Sequence, residues 1–171
     1  MTRYVAFLRG VSPMNAKMPE LKRAFEAAGF GNVRTLLSSG NVVFDARERS
    51  AAAVEKKAEA AMTKELGRSF YTIVRAQDAL RELLAGNPFK GISLPSGAKR
   101  VITFVREPHG QEISFPIKRG DARIVGSNGR EIFAYYVPGP EGPVFMALIE
   151  KTFGSRVTTR TWETVTKCAN G

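Results

Sequence analysis

Two stretches of the 171-residue chain decide how it folds: Val33-Arg34-Thr35-Leu36-Leu37-Ser38-Ser39-Gly40-Asn41-Val42-Val43-Phe44, and further on Ala122-Arg123-Ile124-Val125-Gly126-Ser127-Asn128-Gly129-Arg130-Glu131-Ile132-Phe133-Ala134-Tyr135-Tyr136. Each reads as a β-hairpin. An apolar run meets a Ser-Gly or Asn-Gly turn, where glycine supplies the positive φ, and a second apolar run follows. Working outward, the same neighbours recur on both sides. Thr2-Arg3-Tyr4-Val5-Ala6-Phe7-Leu8-Arg9 precedes the first hairpin, and Lys99-Arg100-Val101-Ile102-Thr103-Phe104-Val105-Arg106 precedes the second. Each is a basic start, an apolar strand and a closing arginine. After each hairpin comes an amphipathic helix, striped by Val54, Ala58, Ala61, Met62 and Leu66 in one case and by Phe145, Leu148, Ile149 and Phe153 in the other. Gly67 and Gly154 end these helices. A β-rich segment closing on an arginine follows in each copy, Ser69 to Arg75 and Ser155 to Arg160, and a last helix runs from Gln77 to Ala85 or from Thr161 to Cys168.

The first copy adds a helix between its first two strands. Pro19 suits its start, Leu21, Ala24, Phe25 and Ala28 form the stripe, and Gly29 stops it. That order is β-α-β-β-α-β, the ferredoxin-like pattern. In the second copy the matching region, Glu107 to Gly120, contains Pro108, Gly110 and Pro116, so its helix is short or lost. The expected fold is α+β: tandem ferredoxin-like (βαββαβ) halves with antiparallel sheets, the second half degenerate. The halves span 1–85 and 99–171, with a linker over 86–98 marked by Gly86, Pro88, Gly91, Pro95 and Gly97. Strands such as Tyr4 to Leu8 are apolar on both faces, whereas a sheet with one wet face alternates with polar residues. Each sheet's second face is therefore expected to be covered, by the other copy or by a second subunit.

Composition is globular, with 43% hydrophobic and 25% charged residues. The longest apolar runs fall far short of a membrane span, and the chain reaches its first strand without the pattern of a signal peptide. Cys168 is the single cysteine, which suits a reducing compartment. It reads as a small apolar residue on a final helical turn rather than a reactive thiol. The expected location is the cytoplasm. Net charge is +10 and is spread along the chain. A field of that sign attracts nucleic acid, anionic lipid or acidic metabolites without choosing among them.

Familiar catalytic patterns are missing. One His and one Cys exclude a structural zinc, and no metal or cofactor is expected. A carboxylate-held magnesium would need Asp45, Glu48 and Asp121 to converge. Ser38 and Ser39 do not lie in G-x-S-x-G, and a serine–histidine pair would require one of them to meet His109, the single imidazole. Neither a P-loop nor a G-x-G-x-x-G is present.

The best local candidate is the loop Arg9-Gly10-Val11-Ser12-Pro13-Met14-Asn15-Ala16-Lys17, which leads into a helix N-terminus where N–H groups are unpaired. Arg9, Ser12, Asn15 and Lys17 are candidate ligands for a small anion there, with Ser39 and Asn41 of the first hairpin and Arg160 as further candidates. As plain structure, the loop is a connection whose charges face water. Arg160 beside Trp162 would grip a phosphate or carboxylate while the indole stacks on a ring; structurally, Trp162 is core and Arg160 pairs with an acid. An RNA-binding reading draws on Tyr4, Phe7 and Phe44 as stacking platforms, but Ser39 to Phe44 lacks the basic residue and central aromatics of the RNP1 pattern.

Phe7-Leu8-Arg9-Gly10, Lys17-Met18-Pro19-Glu20-Leu21, Ala28-Gly29-Phe30, Leu37-Ser38-Ser39-Gly40-Asn41-Val42-Val43-Phe44 and Val157-Thr158-Thr159-Arg160-Thr161-Trp162 occur in this order. Together they resemble an uncharacterised bacterial family, the domain of unknown function DUF 1697, over essentially the whole chain. The resemblance implies a tandem α+β arrangement with ferredoxin-like halves and supplies no reaction. Many members carry a Gly-Gly pair after the Phe-Leu-Arg-Gly segment. Here the loop runs Val11-Ser12-Pro13-Met14-Asn15-Ala16 without it, so a ligand of the family's loop would sit differently in this chain. The expectation is thus a protein of unknown function that binds a small anionic ligand. The alternatives are a nucleic-acid-binding module, or an enzyme acting on a phosphorylated metabolite through Ser39, Asn41 and Arg160.

Overall fold

The computed structural model describes residues 1–139 and 144–171. The chain divides into two units, Met1–Glu82 with Thr166–Gly171, and Leu83–Val165. Among the described residues it forms two antiparallel sheets and five helices.

In the first unit the order is β1 (Thr2–Leu8), α1 (Met18–Ala27), β2 (Gly31–Leu36), β3 (Asn41–Ala46), α2 (Ala51–Leu66), β4 (Thr72–Ala76) and α3 (Gln77–Gly86), whose last residues belong to the second unit. The sheet runs β2-β3-β1-β4. Local chemistry sets the boundaries. Ser50 caps α2 by accepting from the Ala53 N–H at 3.2 Å, and Gly67 ends it in the left-handed region, where a side chain is strained. Tyr4, Ala6, Leu8, Val42, Phe44 and Val74 face Leu21 and Phe25 of α1 and Val54 and Met62 of α2. Phe44 is the hub, with its ring centroid 4.5 Å from that of Phe30 and 5.3 Å from that of Phe25. Strand alternation turns Val5, Phe7, Val43 and Ile73 to the other face, and all four are fully buried.

β4 is an edge strand, and an edge strand carries outward N–H groups without a neighbouring strand. Here α2 supplies the acceptors. Glu55 accepts from the Val74 N–H at 2.9 Å and Glu59, one turn on, from the Thr72 N–H at 3.1 Å. Glu55 is thereby buried as a hydrogen-bonded carboxylate, on a helix whose sequence stripe marks only apolar residues as inward.

The second unit holds β5 (Lys99–Phe104), β6 (Ile117–Arg119), β7 (Ala122–Ser127), β8 (Glu131–Tyr136), α4 (Val144–Phe153), β9 (Thr158–Thr161) and the start of α5 (Trp162–Ala169). Its sheet runs β6-β7-β8-β5-β9. Val101, Ile124, Ile132 and Ala134 pack with Phe145, Leu148 and Ile149 of α4. Among the described residues no helix lies between β5 and β7. The segment after β5 is irregular and then adds the short edge strand β6, in line with its prolines and Gly110.

The central ladders of the two sheets share one register. Phe7 faces Asn41, and Phe104 faces Glu131; Thr2 faces Ala46, and Lys99 faces Tyr136. Tyr4 faces Ala76, and Val101 faces Thr161, after which α3 and α5 begin at once. The first strand of each hairpin is irregular, β2 between Gly31 and Arg34 and β7 between Ile124 and Gly126. The N–H just past the phenylalanine is also used alike: Leu8 donates to Gly40 O at 2.9 Å and Val105 to Arg130 O at 3.0 Å. No helix among the described residues is long and apolar enough to cross a membrane.

Candidate functional site

The connection from β1 to α1 is built by its own polar residues. Gly10 turns the chain at φ +81°. Asn15 then clips the loop: its Oδ1 accepts from the Ser12 N–H at 2.9 Å, and its Nδ2 donates to Gly10 O at 2.7 Å. The Ser12 hydroxyl accepts from the Met14 N–H at 3.3 Å. Asparagine and serine hold turns in this way because their short side chains reach backbone groups two or three residues off. Lys17 occupies the N-cap position of α1 with no side-chain capping bond, and its side chain is exposed. Pro19 removes one first-turn N–H, and Glu20 brings a negative charge to the positive helix end. The dipole there is already answered from within the chain.

The clipped loop and α1 form one wall of a groove of about 500 Å³. Asn15 and Ala16 line it from the loop, Glu20 and Arg23 from α1, and Glu65 and Arg68 from the end of α2. Gly67, at φ +72°, turns the chain so that Arg68 leaves the helix axis. Two guanidinium groups and two carboxylates thus line the same groove, with Met14, Ala16 and Leu66 as its apolar part. Among the described residues, Arg23 and Arg68 make no hydrogen bond or ion pair.

The structure places the other sequence candidates as follows. Arg9 is half-buried, and its backbone N–H donates to Tyr71 O at 2.9 Å. Asn41 is buried; its Nδ2 donates to Leu36 O and to Ser39 Oγ, both at 2.9 Å, so this pair closes the first hairpin. The hairpin tip touches the first loop at Gly40, where an added Cβ would stand 2.8 Å from Val11 Cβ. Arg160 lies in the second unit on β9, and its Nη1 donates to Thr159 O at 2.9 Å. Beside it the Trp162 ring has Phe89 at 5.6 Å edge-on and the Arg100 guanidinium at 4.9 Å over its face, so the indole is engaged within its own unit. Of these candidates, only Asn15 lines the groove. Arg23, Arg68, Glu20 and Glu65 were not singled out from sequence, where each reads as a charge on a solvated helix face. The spacing Glu20–Arg23 and Glu65–Arg68 repeats, but nothing in it says that the two helix ends meet.

His109 meets a serine, though not one of the first hairpin. Its Nε2 lies 2.9 Å from Ser127 Oγ. The Gln111 N–H donates to Nδ1 at 3.1 Å, which leaves the neutral ring's proton on Nε2. His109 therefore donates to Ser127, whose oxygen also accepts from the Gly129 N–H at 2.9 Å. A hydroxyl that accepts two bonds and faces a donor is not activated for attack. The pair clasps the segment after β5 to the second hairpin.

Two of the three carboxylates that a magnesium ion would need, Asp45 and Glu48, are bonded to other side chains. Asp45 accepts from Asn32 at 2.7 Å and Arg3 at 3.1 Å; the Asn32 hydrogen bond first, and Arg3 with it, holds its carboxyl below the usual range. Glu48 is bonded to Lys57 at 2.6 Å, and that bond lowers its pKa likewise. Among the described residues no three His, Cys, Asp or Glu side chains gather as a metal site.

A family model described as "Protein of unknown function (DUF1697)" matches residues 1–133. No curated protein matches the chain. Among solved structures, a conserved bacterial protein from Streptococcus pneumoniae is similar in fold, with a TM-score of 0.72 at 19% sequence identity, covering 99% of this chain and 97% of that one.

Proposed function

This chain belongs to the DUF1697 family of proteins of unknown function, and from that premise we propose that it is a tandem of ferredoxin-like halves that binds a small charged molecule in the groove beside its first loop. The tandem reading draws on the β-α-β-β-α-β order of the first unit and on the common register of the two central ladders. The ligand reading rests on a single observation: Arg23 of α1 and Arg68, just past the end of α2, line one groove without a bonding partner among the described residues. Guanidinium groups favour carboxylate and phosphate because their planar donors match those oxygens in pairs. Glu20 and Glu65 share the lining and repel a purely anionic molecule. The fitting class is a phosphate or carboxylate that also carries an ammonium group. The single cysteine fits a cytoplasmic setting.

Thermal unfolding with inorganic phosphate and with O-phosphoethanolamine tests this reading. A ligand that prefers the folded state stabilises it by about 2.7 kcal/mol at a hundred times its Kd. The expected result is a rise in Tm with phosphoethanolamine that exceeds the rise with phosphate and disappears in Arg68→Ala. An equal rise in Arg68→Ala, or no rise with either compound, contradicts the proposal.

A further inference from the structure

A helix end leaves its last carbonyls without intrahelical partners. At the end of α5 those groups are taken up by side chains of other elements. Gln77, buried at the start of α3, donates through Nε2 to Cys168 O at 3.1 Å and to Gly171 O at 3.0 Å. Arg81, one turn later, donates through Nε to Ala169 O at 2.9 Å. Arg3 of β1 reaches Gly171 O at 3.3 Å and is itself steadied by Asp45 and by Asn32 O. Gly171 lies so close to the sheet that an added Cβ would stand 3.0 Å from Leu36 Cδ1 and 3.2 Å from Val43 Cγ2. These contacts fall on the sheet face opposite α1 and α2, because Val43 alternates with Val42 and Phe44 of the helix-side core.

We propose that Thr166–Gly171 is a detachable strap on the first unit, held by Gln77, Arg81 and Arg3, whose release exposes Cys168 without unfolding the sheet beneath. Thr166–Ala169 is the last turn of α5, and Asn170 is tied to it, donating through Nδ2 to Thr166 O at 2.9 Å and through its N–H to Lys167 O at 3.2 Å. Release therefore breaks or pivots α5 after Val165 and carries this turn and Asn170 together. Its apolar hold is small: the residues buried are Cys168 and Ala169, with no large hydrophobic side chain in Thr-Lys-Cys-Ala-Asn-Gly. Burial free energy scales with apolar area, so this segment is attached chiefly through hydrogen bonds, whereas the sheet is anchored by Phe44, Phe25 and Leu21. Segments bound in this way open well below the free energy of global unfolding.

Cys168 is the chain's single cysteine and is fully buried, so its modification rate reports the opening directly. The full chain is mixed with dithiobis-nitrobenzoate; the Cys168 thiolate attacks the reagent's disulfide, forms a mixed disulfide and releases thionitrobenzoate, which is followed by absorbance. The rate is measured at low urea concentrations. Wild type is expected to label with a urea dependence much shallower than that of global unfolding, since the m-value follows the surface exposed. Gln77→Ala is expected to label about tenfold faster or more, because it removes two hydrogen bonds, the one to Cys168 O buried and the one to Gly171 O partly so. Gly171→Ala, whose Cβ would crowd Leu36 Cδ1 at 3.0 Å and Val43 Cγ2 at 3.2 Å without touching α3, is expected to accelerate labelling as well and keeps the test open should Gln77→Ala fold poorly. Glu82→Ala, exposed on the same helix and bonded to none of the strap's holders, is expected to label at the wild-type rate. Labelling that follows the full unfolding m-value in wild type, an unchanged rate in Gln77→Ala and Gly171→Ala, or equal acceleration in Glu82→Ala overturns the proposal.

Discussion

The connection after β1 and the connection after β5 leave the same ladder position and become different objects. The first makes an Asn15-clipped turn, a ten-residue helix and one wall of a charged groove. The second makes an irregular segment clasped by His109 and Ser127, then the short edge strand β6. The strands on either side are in matching register. The difference teaches that the ladder is set by a few apolar alternations and two glycine turns, which tolerate wide sequence change. What the molecule can bind is set by the segment after the first strand of each sheet, where Pro108, Gly110 and Pro116 in the second unit forbid what Leu21, Ala24 and Phe25 in the first build.

The comparison breaks most severely at the core. Phe44→Ala removes the ring on which Phe25 and Phe30 converge, and the expected loss is about 3–5 kcal/mol in urea-unfolding experiments. A loss under 1 kcal/mol would show that the first unit does not depend on this cluster. Next come the turns. Gly40 sits at φ +86° with no room for a Cβ beside Val11, whereas Arg130, its counterpart before β8, has an ordinary φ. Gly40→Ala is expected to cost about 2–4 kcal/mol through left-handed strain and overpacking. Arg130→Ala is expected to cost under about 1 kcal/mol, since its Nη2 bond to Arg106 O is exposed. Similar costs for the two would remove the asymmetry.

Smaller again is the sealing of the first sheet's edge. Glu55→Ala leaves the Val74 N–H buried without its acceptor, at an expected cost of about 1–3 kcal/mol and with faster hydrogen exchange at that amide. The least effect concerns acid. The Asn32 and Arg3 bonds lower the Asp45 pKa in the folded state. Its contribution is therefore present above the unfolded value of about 4 and is lost as pH falls from there through the lower folded value. Asp45→Asn is expected to be less stable at neutral pH and to lose less stability between neutral and acid pH than wild type. Parallel pH profiles for the two proteins would contradict this.

Much of this architecture is legible in the residues. The Ser39-Gly40 and Asn128-Gly129 turns, the α2 stripe ending at Gly67 and the two-sided burial of Tyr4 to Leu8 follow from local rules of period and backbone freedom. Other features depend on where distant pieces land. Glu55 reads as a surface charge until β4 lies beside α2 and needs acceptors. Ser12 and Asn15 are recognisable as loop residues, yet their choice of partners, each other and Gly10 instead of an incoming anion, depends on the loop's closure. Arg23 lies within α1 and Arg68 just past α2, and no pattern along the chain brings the two together. β6 is three residues long, too short for alternation to register.

A titration of isotope-labelled protein with O-phosphoethanolamine, followed amide by amide by NMR, separates the two connections most directly. Saturable shifts centred on Asn15, Ala16, Arg23 and Arg68, with residues 105–116 unmoved, are the expected result. Shifts spread evenly over basic residues of both units, or centred on the His109 segment, would contradict it.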